Sequence, residues 1–238
     1  MPLPKLPIVE QFNWKKHLPQ TSADKTNDLF YILSAIYSAN EEDKEVSKIT
    51  LTKALFRTAQ IEAEKKVSFL NTFFYVNTLG PFNNIIYKYL EELEKANLIR
   101  TERRNIYITS KGSRVVNDLI DTLKDTNRQT ERILATLAVK MKEYSGNVTK
   151  TIDETHNQKV IDTTDNDKIK TITTLIKEIK PEQSFKSASE FKYINPFTEG
   201  SIEKINLPAG TINYFENELA SIDELDYDKS EDISALFT

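Results

Sequence analysis

The sequence predicts a mostly α protein with a winged-helix core, helices plus a small β-hairpin, and an additional helical and irregular C-terminal region. Three observations carry that expectation. Phe82, Ile85, Ile86, Tyr89, Leu90 and Leu93 recur at spacings of three and one, the apolar face of an amphipathic helix. "LIRTERRNIYITSKG" follows at 98–112 and reads as a hairpin, with β-branched Ile99, Ile106 and Ile108 around a turn at Arg103-Arg104-Asn105. A second amphipathic run then turns Val115, Val116, Leu119, Ile120 and Leu123 inward. Helix, turn, helix, hairpin, helix is the winged-helix order.

Each element has its own signal. Residues 1–22 read as an extended arm, because Pro2, Pro4, Pro7 and Pro19 break any helix. The arm holds too many apolar residues for a free tail, Trp14 among them, so it is expected to dock on its own domain or on a partner. The winged-helix domain is expected over 23–125. Asp24 or Thr26 caps its first helix, which runs to about Ala39 with Leu29, Phe30, Ile32, Leu33, Ile36 and Tyr37 as its stripe. "ITLTKALFRTAQIEAEKK" forms the second helix, with Leu51, Ala54, Leu55, Thr58 and Ile61 on one side. Residues 67–80 are apolar and aromatic; a short strand and a buried helix with a turn both fit them. Pro81 suits the first position of a helix over 81–96, and Asn97 can end it in a left-handed turn. Thr109 or Ser110 caps the next helix.

Residues 126–180 read as a helical region. Ile133, Leu134, Leu137, Ala138 and Met141 align on a helix at 131–144. A polar linker spans 145–166, and Ile169, Ile172, Ile176 and Ile179 mark a helix at 167–180. Residues 181–238 read as an irregular acidic tail. From about residue 200, nine acidic side chains face Lys204 and Lys229, with Tyr214, Phe215, Tyr227, Leu236 and Phe237 among the interspersed hydrophobics.

Composition bounds the chemistry. The 238 residues are 39% hydrophobic and 29% charged, with a net charge of −4. There is no run of about 18 apolar residues and no apolar signal region, so a cytoplasmic protein without a membrane span is expected. Cysteine is absent, which removes disulfides and thiolate chemistry. The five glycines are too dispersed to cradle a phosphate, and His17 and His156 sit in polar, turn-rich surroundings. "DNDK" at 165–168 lacks the glycine and closing glutamate of a calcium loop and reads as a solvated helix start. No catalytic residue, metal, cofactor or small-molecule substrate is therefore expected, and the chain reads as a non-enzyme.

Three segments together resemble a known family: Thr52 to Phe56, then Gly80-Pro81 with Ile86-Tyr87, Leu90 and Leu93, then Thr109 to Gly112. They resemble the YwgA-like and SocA-type (Panacea) domains over residues about 27–124. The sequence departs from that pattern at Thr78-Leu79, where the family has a tyrosine before Gly-Pro. The C-terminal half has no counterpart in it. The resemblance implies a prokaryotic or mobile-element module that holds a partner protein, antitoxin-like or defence-system-like. Broader winged-helix relatives include transcriptional regulators and kite-type subunits of SMC-like ATPases.

Two kinds of partner follow. Double-stranded DNA would meet the wing and the start of the 81–96 helix through Asn83, Asn84, Tyr87, Lys88, Arg100, Arg103, Arg104, Lys111 and Arg114. The same cations also serve a solvated hairpin by protecting its edge strands. Glu91, Glu92 and Glu94 on the second half of that helix oppose a phosphate backbone. A protein partner, a toxin, nuclease or ATPase, would meet Trp14, Ile133, Leu137, Met141, Tyr214, Phe215, Tyr227, Leu236 and Phe237. The adaptor or accessory-subunit reading leads for that reason.

Overall fold

The computed structural model describes residues 6–11, 21–40, 44–124, 127–179, 192–196 and 202–221. The first elements are β1 (Ile8–Gln11), α1 (Ser22–Asn40), β2 (Val46–Ser47), α2 (Lys48–Glu64) and β3 (Val67–Ser68). Then come β4 (Phe74–Asn77), β5 (Gly80–Phe82), α3 (Asn84–Lys95), β6 (Ile99–Glu102), β7 (Asn105–Ile108) and α4 (Ser110–Leu123). The second half supplies α5 (Arg128–Tyr144), α6 (Val148–His156), β8 (Lys159–Asp162), β9 (Lys168–Thr171) and α7 (Ile172–Glu178). Last are β10 (Lys192–Asn195), β11 (Glu203–Lys204) and α8 (Ala209–Ala220).

The fold is mixed α/β rather than mostly α. A six-stranded sheet runs in the order β5-β4-β10-β1-β8-β9, parallel only between β1 and β8. Its strands are short and drawn from distant segments, so local periodicity does not announce them. The arm expected at 1–22 supplies β1, which lies inside the sheet, with Val9 fully buried. The linker expected at 145–166 is α6 and β8, and "DNDK" belongs to the β8–β9 connection, where Asn166 and Asp167 are left-handed. The helix expected at 167–180 begins as strand, since Lys168-Ile169-Lys170-Thr171 alternates; Thr171 then caps a shorter α7 through the Thr174 N–H. The tail expected to be irregular from 181 supplies β10, β11 and α8.

A second, three-stranded sheet has the order β2-β7-β6. It joins the segment between α1 and α2 to the hairpin after α3. The residues 67–80 resolve as strands β3 and β4. Pro81 is a strand residue of β5, not the first residue of a helix; α3 starts three positions later behind the cap Asn83. On α1, Thr21 and Asp24 form a reciprocal cap, each side chain accepting the other's backbone N–H at 3.1 Å.

A large apolar core unites most of these parts, beside a small cluster of Phe73, Tyr75 and Tyr193. The aligned stripe of α5 faces inward: Ile133, Leu137 and Met141 are at most 1% exposed and pack in that core. They are not surface contacts for a partner. Buried charge reinforces the same packing. Glu62 of α2, fully covered, accepts from Arg132 and Lys65 at 2.8 Å each and from Thr136 at 3.2 Å. On the sheet, buried Asp162 accepts from Lys192 at 2.8 Å and Lys170 at 3.0 Å, and Glu178 holds both lysines from the far side. Those bonds hold the Asp162 carboxyl down at about 2 despite its burial.

Candidate functional site

The surface expected to meet a partner is where α3, the β6–β7 hairpin and α4 join. α3 ends as its sequence requires: Asn97 is left-handed (φ 56°), and the Leu98 N–H bonds Leu93 O at 2.9 Å. Four residues, Thr109 to Gly112, then grip that end. The Thr109 N–H donates to Leu98 O at 3.1 Å, its hydroxyl donates to Asn97 O at 2.6 Å, and it caps α4 through the Gly112 N–H at 3.0 Å. Lys111 Nζ donates to Ala96 O at 3.1 Å. Gly112 is required because a Cβ there would lie 2.0 Å from Leu98 O.

This accounts for two of the expected DNA contacts as architecture. Asn83 is fully buried; it caps α3 through the Ile85 N–H at 2.8 Å and donates to Thr72 Oγ1 at 2.6 Å. Lys111 is buried among carbonyls, with further bonds to Ser221 O at 2.7 Å and Ser221 Oγ at 3.0 Å. Neither can reach a duplex in this arrangement. The sequence shows a lysine three residues after a hairpin but not the acceptors around it.

The remaining candidates are at the surface. Asn84 and Lys88 are exposed on the first turns of α3. Tyr87 is half-buried, stacked on Phe82 with a centroid separation of 5.2 Å and with Lys48 Nζ 5.3 Å from its ring. Burial raises its phenol above the ordinary value, so it stays a neutral donor. Farther along, Glu94 turns back and accepts the Thr101 N–H at 2.7 Å, while Glu92 pairs with Lys25 at 2.6 Å. On the hairpin, Arg100 pairs with Glu102 and lies 5.0 Å over the Tyr107 ring. Arg103 and Arg104 form the two-residue turn between paired Glu102 and Asn105, and both are exposed. Arg103 has φ 57°, a left-handed conformation that costs a non-glycine residue about 1 kcal/mol.

α8 packs against this junction. Phe215 is fully buried edge-on to Phe30, and the Tyr214 hydroxyl donates to Asp118 at 2.9 Å. Phe215 therefore serves the chain's own packing and is not open to a partner, whereas Tyr214 is half-buried and its bond to Asp118 lies at the surface. Arg114 donates to Glu218 at 3.4 Å, and Glu216 accepts from Ser22 at 2.9 Å and Thr26 at 3.0 Å. Trp14, Tyr227, Leu236 and Phe237, like His17, lie outside the described residues. Between α1, α3 and α8 opens a cleft of about 450 Å³, with Leu29, Ala96 and Leu219 as apolar lining and Lys25, Glu92, Lys95 and Glu216 as charged lining.

A second cluster was not legible as a site in the sequence. Lys53 of α2 is 2% exposed, and its Nζ donates to Leu79 O and, at 2.6 Å, to Pro81 O. Burial pushes its ammonium down to about 7. A neutral amine still has two hydrogens, enough for both carbonyls. His156 is not the surface histidine its polar neighbours suggest: its Nε2 is buried and would lie 3.1 Å from a Cβ placed on Gly80. The only signal for this corner was that Lys53 and Gly80-Pro81 belong to the same recurring motif set. On α1, burial raises the Asp28 carboxyl to about 8, although it accepts the Asn71 N–H at 2.7 Å.

Among the described residues, no group of three or more histidine, aspartate or glutamate side chains is placed to hold a metal ion, and no helix is long and apolar enough to cross a membrane. Compared with known proteins, the chain matches no family model, no curated protein and no solved structure.

Proposed function

We propose that the chain is a non-catalytic, winged-helix adaptor or accessory subunit that binds a protein partner in a prokaryotic or mobile-element complex, antitoxin-like or defence-system-like. The winged-helix element is α1-β2-α2 and α3-β6-β7, closed by the pairing of β2 with β7. The residues that resemble the SocA-type motifs support the assignment by meeting in space: Lys53 holds the Gly80-Pro81 corner, and Thr109 to Gly112 hold the end of α3. The observation that carries the protein-partner reading is the internal use of Lys111 and Asn83 beside exposed carboxylates on α3. Lys111 is committed to carbonyls and Asn83 to the cap of α3, while Glu91 and Glu94 are exposed on the helix that would enter a groove. The cleft between α1, α3 and α8, apolar at its base and charged at its rim, has the make-up of a peptide-binding surface. Co-purification of the intact chain from its host, followed by mass measurement in solution, tests this. Recovery as a free monomer, unaltered by co-expression with the products of neighbouring genes, refutes it.

The wing tip favours a second reading, a DNA-binding regulator. A left-handed arginine costs stability at a turn where asparagine or glycine would serve, and it presents two adjacent guanidinium groups. Under this reading, Arg103→Glu with Arg104→Glu abolishes duplex binding at low salt. Undetectable binding by the unaltered chain refutes it.

A further inference from the structure

We propose that the cavity between α2, the α6–β8 turn and the paired ends of β1 and β10 is a binding site for an oxyanion, the phosphate or carboxylate group of a small-molecule ligand. The site lies away from the residues of the α3–α4 surface and is independent of both partner readings.

α2 lines this cavity with Arg57, Gln60 and Glu64, whose spacing of three and four puts them on one helix face. Gln158 and Lys159 line it from the α6–β8 turn, and Pro7 and Pro196 add apolar lining beside β1 and β10. Its volume is about 240 Å³. Sites for drug-sized ligands run to about 300–1,000 Å³, so this one suits a small anion or the anionic end of a larger molecule. The walls are fixed by backbone bonds: the Ile161 N–H donates to Pro7 O at 2.8 Å, and the Ile172 N–H to Gln158 O at 3.0 Å. A ligand therefore meets a frame that is already ordered.

The guanidinium carries the inference. Of the described arginines, Arg57 alone is not exposed. Arg100, Arg114 and Arg132 each pair with a glutamate, whereas no carboxylate of the described residues pairs with Arg57. Its Nη1 donates to Gln60 Oε1 at 2.6 Å, and the Tyr144 hydroxyl lies beside it. Burial pushes that phenol up to about 12, so both neighbours are neutral. They orient the guanidinium without cancelling its charge. A half-buried charge that lacks a counter-ion is costly, and an anion in the cavity would supply one. Gln60 is 5% exposed, and with its oxygen taken by Arg57 its amide hydrogens have no partner among the described residues. A planar fork beside an amide donor is the arrangement that meets two oxygens of one phosphate or carboxylate. Lys159, exposed, adds a second cation. Glu64, also exposed, is the one carboxylate of the described lining and opposes the anion.

The test titrates the full chain with sodium phosphate and, separately, with sodium succinate at constant ionic strength, reading Tm. A ligand that binds only the folded chain raises Tm along a saturable curve. Arg57→Gln should weaken the apparent affinity by about tenfold or more, and Lys159→Ala by several-fold. Glu64→Gln should strengthen it, because a like charge is removed. Arg103→Gln with Arg104→Gln, far from this lining, should leave it unchanged. Should Arg57→Gln fail to fold, Lys159→Ala and Glu64→Gln, both at exposed positions, still decide by their opposite signs. Whichever anion binds more tightly names the group the site takes. Phosphate also stabilises proteins generally by exclusion from their surface, and that effect does not saturate. An unsaturable rise, no rise with either anion, or a saturable one that Arg57→Gln and Lys159→Ala leave intact overturns the proposal.

Discussion

Replacing Gly112 by alanine sets two effects of opposite sign against each other. In an open helix alanine is better than glycine by about 1 kcal/mol. Here the added Cβ would lie 2.0 Å from Leu98 O and 2.9 Å from Ile108 Cγ1, and the first of these is backbone. Ordinary contact begins at 3.4 Å, so the start of α4 must retreat by more than 1 Å. That retreat stretches three bonds: Thr109 N–H to Leu98 O, Thr109 Oγ1 to Asn97 O, and Lys111 Nζ to Ala96 O. Three bonds at about 1 kcal/mol each, with about 1–3 kcal/mol of overpacking, outweigh the propensity gain. The net expectation is a loss of about 3–5 kcal/mol, a large part of a typical domain's total of about 5–15 kcal/mol. Urea unfolding reads it as a lower midpoint at unchanged slope. Gly210 is the internal control: nothing lies within 4 Å of a Cβ placed there, so Gly210→Ala should stabilise by up to about 1 kcal/mol. A neutral or stabilising Gly112→Ala would refute the close approach of α4 to Leu98.

Three further outcomes are expected. The Asp162 carboxyl is held at about 2 in the fold, against 3.8 ordinarily, so its contribution is complete above pH 4 and lost as pH falls toward 2. Because Lys192 and Lys170 are partly solvated, that contribution is about 1–2 kcal/mol; acid unfolding of Asp162→Asn should lack this segment of the curve. Asp28 behaves in the opposite sense. Its fold value of about 8 means the folded chain keeps a proton the unfolded chain has lost, so stability declines as pH rises from about 4 through 8. Asp28→Asn should flatten this decline, and an unaltered slope between pH 6 and 9 would exclude Asp28 as its source. Arg103→Gly should raise stability by up to about 1 kcal/mol through relief of the left-handed turn, read as a higher urea midpoint; a lower midpoint would show that the turn carries no strain.

What could be read from the sequence was what its local signals determine. Apolar spacing on α3 and α4, the β-branched hairpin and the left-handed end at Asn97 each lie within a few residues. The six-stranded sheet was not legible. β1 and β10 pair Ile8 with Asn195, and four-residue strands leave too little alternation to separate them from loop. The candidate surface failed for a related reason. The stripe Ile133, Leu137, Met141 was correctly placed on one helix face, but a stripe does not say what covers it, and here α1 and α2 do. Lys111 and Asn83 were misassigned because a polar side chain in sequence shows its donors and not its acceptors.

The position of β1 has a consequence for biosynthesis. Ile8–Gln11 is made before every other strand of its sheet, and its antiparallel neighbour Lys192–Asn195 is made 184 residues later. At about 5–20 residues per second that interval is about 9–37 s. Throughout it, a strand destined for the interior of a sheet has no β10 to pair with. The nascent chain must therefore carry an unsatisfied edge while the helices made before β10 are already able to pack, which makes closure of this sheet a late step and β1 a segment for chaperones to shield.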